Sequence, residues 1–184
     1  MNMQLNEYQT GAVSTAIYPG ELVYPALGLC GEVSELVAAV TKDRRSGRMV
    51  QDNLDSVKKE IGDVLWYVAN IAEDMDTLFS EVIGRKNFVV HPGLWDVVDE
   101  ALIELPIRAG AVAENIKKAI RDDDGAVSYA RGRNILAALC LLVTWLERLC
   151  SWYGITLEEC ARLNLDKLRS RAERGVLKGD GDSR

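Results

Sequence analysis

The sequence is poor in the residues that build soft-metal and redox centres. It has one histidine, His91, and four cysteines, Cys30, Cys140, Cys150 and Cys160, with no Cys-x-x-Cys among them. The cysteines sit inside apolar helical patterns, which argues against zinc and against disulfides and for buried reduced thiols. His91 precedes a proline in a connector and is assigned no role. An excess of basic charge is also missing. The net charge of −6 argues against a general nucleic-acid surface, which is normally basic. A single nucleotide remains compatible with it, because a bound cation can carry the phosphate interaction. No apolar run reaches the ~18 residues of a membrane-spanning helix; the longest, Ile135 to Leu146, is interrupted by Thr144. We therefore expect no membrane partner. The opening MNMQLNEYQTG lacks the basic and then apolar stretches of a signal peptide, and the expected location is the cytoplasm.

What is present is ordinary globular composition, 48% hydrophobic and 27% charged over 184 residues, enough for one domain with a core. The apolar residues recur at helical period almost throughout, and the expected fold is an all-α helical bundle. A first helix over residues 1–18 stops at Tyr18-Pro19-Gly20. A second, over 23–43, accepts Pro25 in its first turn. Ser46 to Asn53 is a polar loop, and Asp52 or Asn53 is placed to cap a long third helix over 54–79. A connector with Gly84, Pro92 and Gly93 leads to helices over 95–122 and 128–153, the first of which should break or kink at Pro106. The tail is helical over 156–174 and then loosens.

Two carboxylate pairs stand out, Glu32 with Glu35 and Glu60 with Asp63. Each is spaced i, i+3, a rotation of about 60° from overlap, so each pair shares one helix face. Two such helices packed antiparallel would bring four acids together. Converging carboxylates repel unless a cation neutralises them, and magnesium is the natural one: it takes oxygen ligands and is commonly shared with substrate phosphates. Most helix acids simply face water. Here Glu32 and Glu35 lie among Gly31, Val33, Leu36 and Val37 with no Lys or Arg at i+4, and Asp63 lies between Ile61 and Val64-Leu65-Trp66-Tyr67.

The pair GEVSE and KKEIGDVLWY, with 24 residues between Glu35 and Glu60, resembles the ExxE and ExxD motifs of the MazG-like all-α nucleoside triphosphate pyrophosphohydrolases. The resemblance implies an enzyme that hydrolyses a nucleoside triphosphate, a deoxynucleotide by preference, to the monophosphate and pyrophosphate, cleansing the nucleotide pool. It implies magnesium, with manganese as a substitute, held by Glu32, Glu35, Glu60 and Asp63, with Glu35 favoured as the base on the attacking water. It also implies a homodimer or homotetramer. A non-catalytic nucleotide-binding or assembly module is one rival; a related phosphohydrolase acting on dUTP, dUDP or a phosphoribosyl-ATP is another.

For the substrate, Asn164, Lys167 and Arg171 recur at i, i+3, i+7 on one face of the tail helix, in a segment that resembles the family's C-terminal Asn and Lys-Leu-x-x-Arg pattern. A basic helix end complementing its dipole is the plain alternative. Arg169 reads as surface. Of the basic residues Lys42, Arg44, Arg45 and Lys59, only Lys42 is favoured as a phosphate contact. Tyr67, one turn beyond Asp63, is expected to stack on the base, and Trp66, about 100° away, to be core. Tyr8, Tyr18 and Tyr24 either close the pocket or pack in turns.

The chain organises into a catalytic half, residues 1–83, a stretch 95–153 and a tail 154–184. The middle stretch aligns with the first helical hairpin: on the apolar register Glu32, Glu35, Glu60 and Asp63 face Arg108, Ala111, Asn134 and Ala137. This reads either as a duplication that kept the packing and lost the acids, or as the loose alignment any two amphipathic helix pairs allow.

Overall fold

The structure, a computed structural model, describes residues 5–18, 22–46, 53–84 and 96–177, with side chains as far as Lys42 in the second of these stretches. His91, Asp52, most of the 46–53 loop and the side chains of Arg44 and Arg45 lie outside the described residues. The fold is all-helical, as expected: α1 (Leu5–Val13), α2 (Val23–Ser46), α3 (Leu54–Asp74), α4 (Phe79–Gly84), α5 (Val97–Asp122), α6 (Tyr129–Tyr153) and α7 (Leu157–Glu173).

Helix α3 is central to the first half. Its residues Val57, Ile61, Val64, Leu65, Val68, Ile71 and Ala72 share one broad face and are all buried. It packs against α2 on one side and α7 and α1 on others, while α5 packs on both α6 and α2. Stripes of i, i+3, i+4 spacing supply the other faces, Leu29, Val33, Leu36 and Val40 on α2 and Ile135, Leu139, Leu142 and Leu146 on α6.

Several boundaries depart from the sequence expectation, each for a visible reason. Helix α1 ends at Val13, where the chain tightens into i, i+3 turns (Thr15 N to Ala12 O, 3.1 Å; Ala16 N to Val13 O, 3.0 Å) and the Trp66 indole on α3 also donates to Ala12 O (3.1 Å) and Thr15 Oγ1 (3.0 Å). Helix α3 ends at Asp74, short of residue 79. Asp76 adopts a left-handed φ of 50°, and buried Gln9 of α1 stitches the turn, donating to Glu73 Oε2 (2.9 Å) and Thr77 O (3.0 Å) and accepting from Phe79 N (2.7 Å). Asn53 stands at the N-cap position of α3 but does not cap it; its amide reaches across to Ala39 O of α2 at 3.1 Å. Pro106 lies within α5 and does not break it: the helix runs unbroken from Val97 to Asp122 with the proline on its exposed face. Helix α7 starts on a capping box between Thr156 and Glu159.

In the second hairpin Arg108 is paired with Glu104, and Asn134 approaches Asn115 at 3.5 Å. All three cysteines beyond Cys30 are buried, and none of the four is in a disulfide. Two helical spans, Val23–Lys42 and Tyr129–Tyr153, have the length and average hydropathy of a membrane span even though neither is an unbroken apolar run; most of the second is buried as the core helix α6.

Candidate metal and nucleotide site

Helices α2 and α3 carry the two acid pairs to a common place, but not all four acids equally. Among the described residues, Glu32, Glu60 and Asp63 offer carboxylate oxygens that lie within 4.8 Å of one another. Glu60 is buried and its Oε2 has no hydrogen-bond partner. Glu35 does not join this group; it is exposed, one turn along α2, and lines the cleft that opens beside the three.

Burial, with the charges of Asp63, Glu35 and Glu60 added to it, pushes Glu32 up to about 7, against a smaller pull from Lys167. A carboxylate in that condition is one for which a cation is worth most, since neutralising the cluster removes both causes at once.

Helix α7 completes the cluster. It crosses α3 at Gly62, where a Cβ would stand 2.8 Å from Asn164 Cβ and 2.9 Å from Cys160 O. That closeness puts Asn164 Nδ2 on Asp63 Oδ1 at 2.8 Å, and Lys167 Nζ pairs with the same oxygen. Lys59 sits on the other side, 2.8 Å from Glu60 Oε1 and 4.0 Å from Asp63 Oδ2.

The cleft has a volume of about 470 Å³ and is walled by Glu32, Glu35 and Asp63, by Lys59, Lys167 and Arg171, and by Tyr24, Trp66 and Tyr67. Tyr67 lies against α2 at Gly28, where a Cβ would fall 2.1 Å from its Cε1. Trp66 packs edge-on to it, centroids 4.8 Å apart, and Tyr18 stacks on Tyr24 at the same separation. Arg171 reaches Val176 O at 3.4 Å, tying the tail down beside the cleft.

Of the residues expected from sequence, Glu32, Glu60, Asp63, Asn164 and Lys167 are brought into direct contact or near contact, and Glu35, Tyr67 and Arg171 line the same cleft. Lys42 is not among its walls; seven residues beyond Glu35, it is about 10 Å further along the α2 axis. Lys59, read from sequence as one of a solvated run, lines the cleft together with Lys167. Trp66 is only half-buried and forms part of the wall rather than core. Arg169 is exposed, as expected.

Tyr8, expected to close the pocket or pack in a turn, is not among the walls of the cleft. It is buried, and its hydroxyl donates to Asn164 Oδ1 at 3.0 Å with Gly62 O at 3.3 Å. Its position four residues before Ala12 on an apolar stripe gave only a packing signal.

Comparison with known proteins locates the same region. The model of the MazG nucleotide pyrophosphohydrolase domain matches residues 25–88, a stretch that contains all four acids and Tyr67 but neither α1 nor α7. Gene 37 protein of Mycobacterium phage L5 is 40% identical over 94 residues, which is 46% of this chain and 82% of the relative. No solved structure matches the chain. With the acid pairs converging where that domain model lies, and with a relative matched over most of its length, the chain belongs to the MazG nucleotide pyrophosphohydrolase family.

Proposed function

We propose that the protein hydrolyses a nucleoside triphosphate, a deoxynucleotide by preference, to the monophosphate and pyrophosphate with the help of a divalent cation. The observation that carries this reading is the convergence of Glu32, Glu60 and Asp63 on the wall of a cleft that also presents basic side chains and aromatic rings. The donor set fits magnesium or manganese. It consists of oxygens without sulfur or imidazole, the choice of a hard ion, and one of those oxygens, Glu60 Oε2, is buried without a partner.

When bound, the cation would supply charge neutralisation to the reacting phosphates and acidify water. The chain's own side chains divide the remaining work. Glu32, Glu60 and Asp63 hold the ion. Lys59, Lys167 and Arg171 present positive charge to the phosphate tail, and the Tyr67 ring, braced by Trp66, offers a face to the base. Glu35, exposed on the cleft wall, is placed to take the proton of the water that attacks in line with the leaving pyrophosphate.

The test is a pair of substitutions, Glu35→Ala and Asp63→Ala, assayed for pyrophosphate release. Both should lose turnover while circular dichroism retains the helical signal. Turnover retained in either would refute the roles given to these acids.

A further inference from the structure

The hydrogen bonds around Asp63 have a direction. A carboxylate only accepts, so the face of the Asn164 carboxamide turned toward Asp63 Oδ1 is its NH2 group, 2.8 Å away. The carbonyl oxygen of the same amide therefore faces the other way, toward Tyr8, and requires a donor. The Tyr8 hydroxyl is that donor, at 3.0 Å. Its proton has a second acceptor, Gly62 O, but at the longer distance of 3.3 Å. Tyr8 is 1% exposed, so water cannot take its place. Burial and the nearby charge of Asp63 hold its hydroxyl well above the usual phenol range, which keeps it a donor.

The run from Tyr8 O–H through the Asn164 amide to Asp63 has consequences at both ends. Donation into the amide carbonyl strengthens the amide N–H as a donor. The two donors from α7, Asn164 and Lys167, both take Oδ1, so the carboxylate is held with Oδ1 turned to α7. Tyr8 belongs to α1 and Asn164 to α7, both outside the stretch matched by the family model.

We propose that Tyr8 is a positioning residue for the cation-binding carboxylate of Asp63, acting through the orientation of the Asn164 carboxamide. The proposal rests on the reading that Glu32, Glu60 and Asp63 hold a divalent cation, and it does not depend on which reaction follows. Partners that orient a ligating carboxylate typically govern affinity by 10–100-fold, and Tyr8, acting at one remove, belongs at the low end of that range.

The full-length protein and its Tyr8→Phe variant are titrated with Mn2+ alone, the free ion being counted by electron paramagnetic resonance. Phenylalanine fills the same volume and removes only the donor. The expected result is an approximately tenfold weaker affinity with unchanged circular dichroism. In an Asn164→Ala background, the same Tyr8→Phe change should have no further effect, because the connecting amide is gone. Equal affinity in the parent and Tyr8→Phe overturns the proposal, as does an undiminished tenfold loss in the Asn164→Ala background. Should Tyr8→Phe fail to fold, the side-chain amide resonances of Asn164 in 15N-labelled parent protein decide: a shift on Mg2+ titration supports the connection, and none overturns it. Since every reading is of ion binding, Mn2+ held without pyrophosphate release would remove the hydrolase reading and leave this one intact.

Discussion

Asn164 and Asp63, 101 residues apart in the chain, are joined by a 2.8 Å hydrogen bond that closes helix α7 over the acids of α3. The contact is possible because α3 is narrow where the two helices cross. Gly62 precedes Asp63, and the backbone of α7 occupies the space in which a side chain at Gly62 would stand.

Gly62→Ala tests that closeness. A methyl group 2.8 Å from Asn164 Cβ and 2.9 Å from Cys160 O must push α7 away, because one of those atoms is backbone. The expected cost is about 1–3 kcal/mol, read as a fall in Tm of about 2–4 °C for each kcal/mol in a chain of this size. Separation of the helices also takes Asn164 and Lys167 off Asp63, so cation affinity should fall together with Tm. An unchanged Tm with unchanged Mn2+ binding would contradict the packing described.

Gly28→Ala should behave differently. Its added methyl meets the Tyr67 ring, with Cε1 at 2.1 Å and Cζ at 2.2 Å, and a ring at a cleft wall can swing where a backbone cannot. Fold stability should then change little while the ring leaves the position in which it meets the base. A base–aromatic stack is worth about 1–3 kcal/mol, so KM for the nucleotide should rise by roughly 5- to 150-fold, and Tyr67→Leu should give a similar rise. A Gly28→Ala enzyme with parental KM would remove Tyr67 from the base site.

The raised Glu32 predicts a pH-dependent response to magnesium. In the metal-free chain its carboxyl sits at about 7 instead of 4.5, chiefly through burial and then through its acidic neighbours. A raised acid favours the folded state while protonated: the contribution is complete below pH about 4.5 and is lost as the pH climbs through about 7. A divalent cation binds the ionised form and restores what was lost. The gain in Tm on adding Mg2+ should therefore be small at pH 5 and grow through pH 7 toward pH 8. Glu32→Gln should flatten that dependence. A gain in the parent protein that is the same at pH 5 and pH 8 would contradict the account.

Most of the fold was legible because burial follows helical period: the stripes on α2, α3 and α6 could be read directly. What failed to show were the places where a distant residue overrides local preference. Nothing near Val13 announces that the Trp66 indole will reach Ala12 O and Thr15 Oγ1, and nothing near Asp74 announces Gln9. The site divides the same way. The i, i+3 spacing pointed to Glu32, Glu35, Glu60 and Asp63 alike; three of them converge, and Glu35 does not, because a rotation of about 60° and one turn of rise leave it exposed on the cleft wall. The choice between Lys42 and Lys59 needed the packing of α2 on α3, which puts Lys59 at the cleft and leaves Lys42 along the helix away from it. Tyr8 was hidden because a tyrosine in an apolar stripe looks the same whether its hydroxyl meets water or an amide.

The central claim, a cation-dependent cut between the α- and β-phosphates, is tested most directly by identifying products. The purified protein is incubated with each common dNTP and NTP in turn, with Mg2+ and with a chelator, and the mixture is resolved by anion-exchange chromatography. Monophosphate and pyrophosphate in equal amounts, formed only with Mg2+, is the predicted result. Diphosphate with inorganic phosphate, products that persist in chelator, or no consumption of any nucleotide would contradict it.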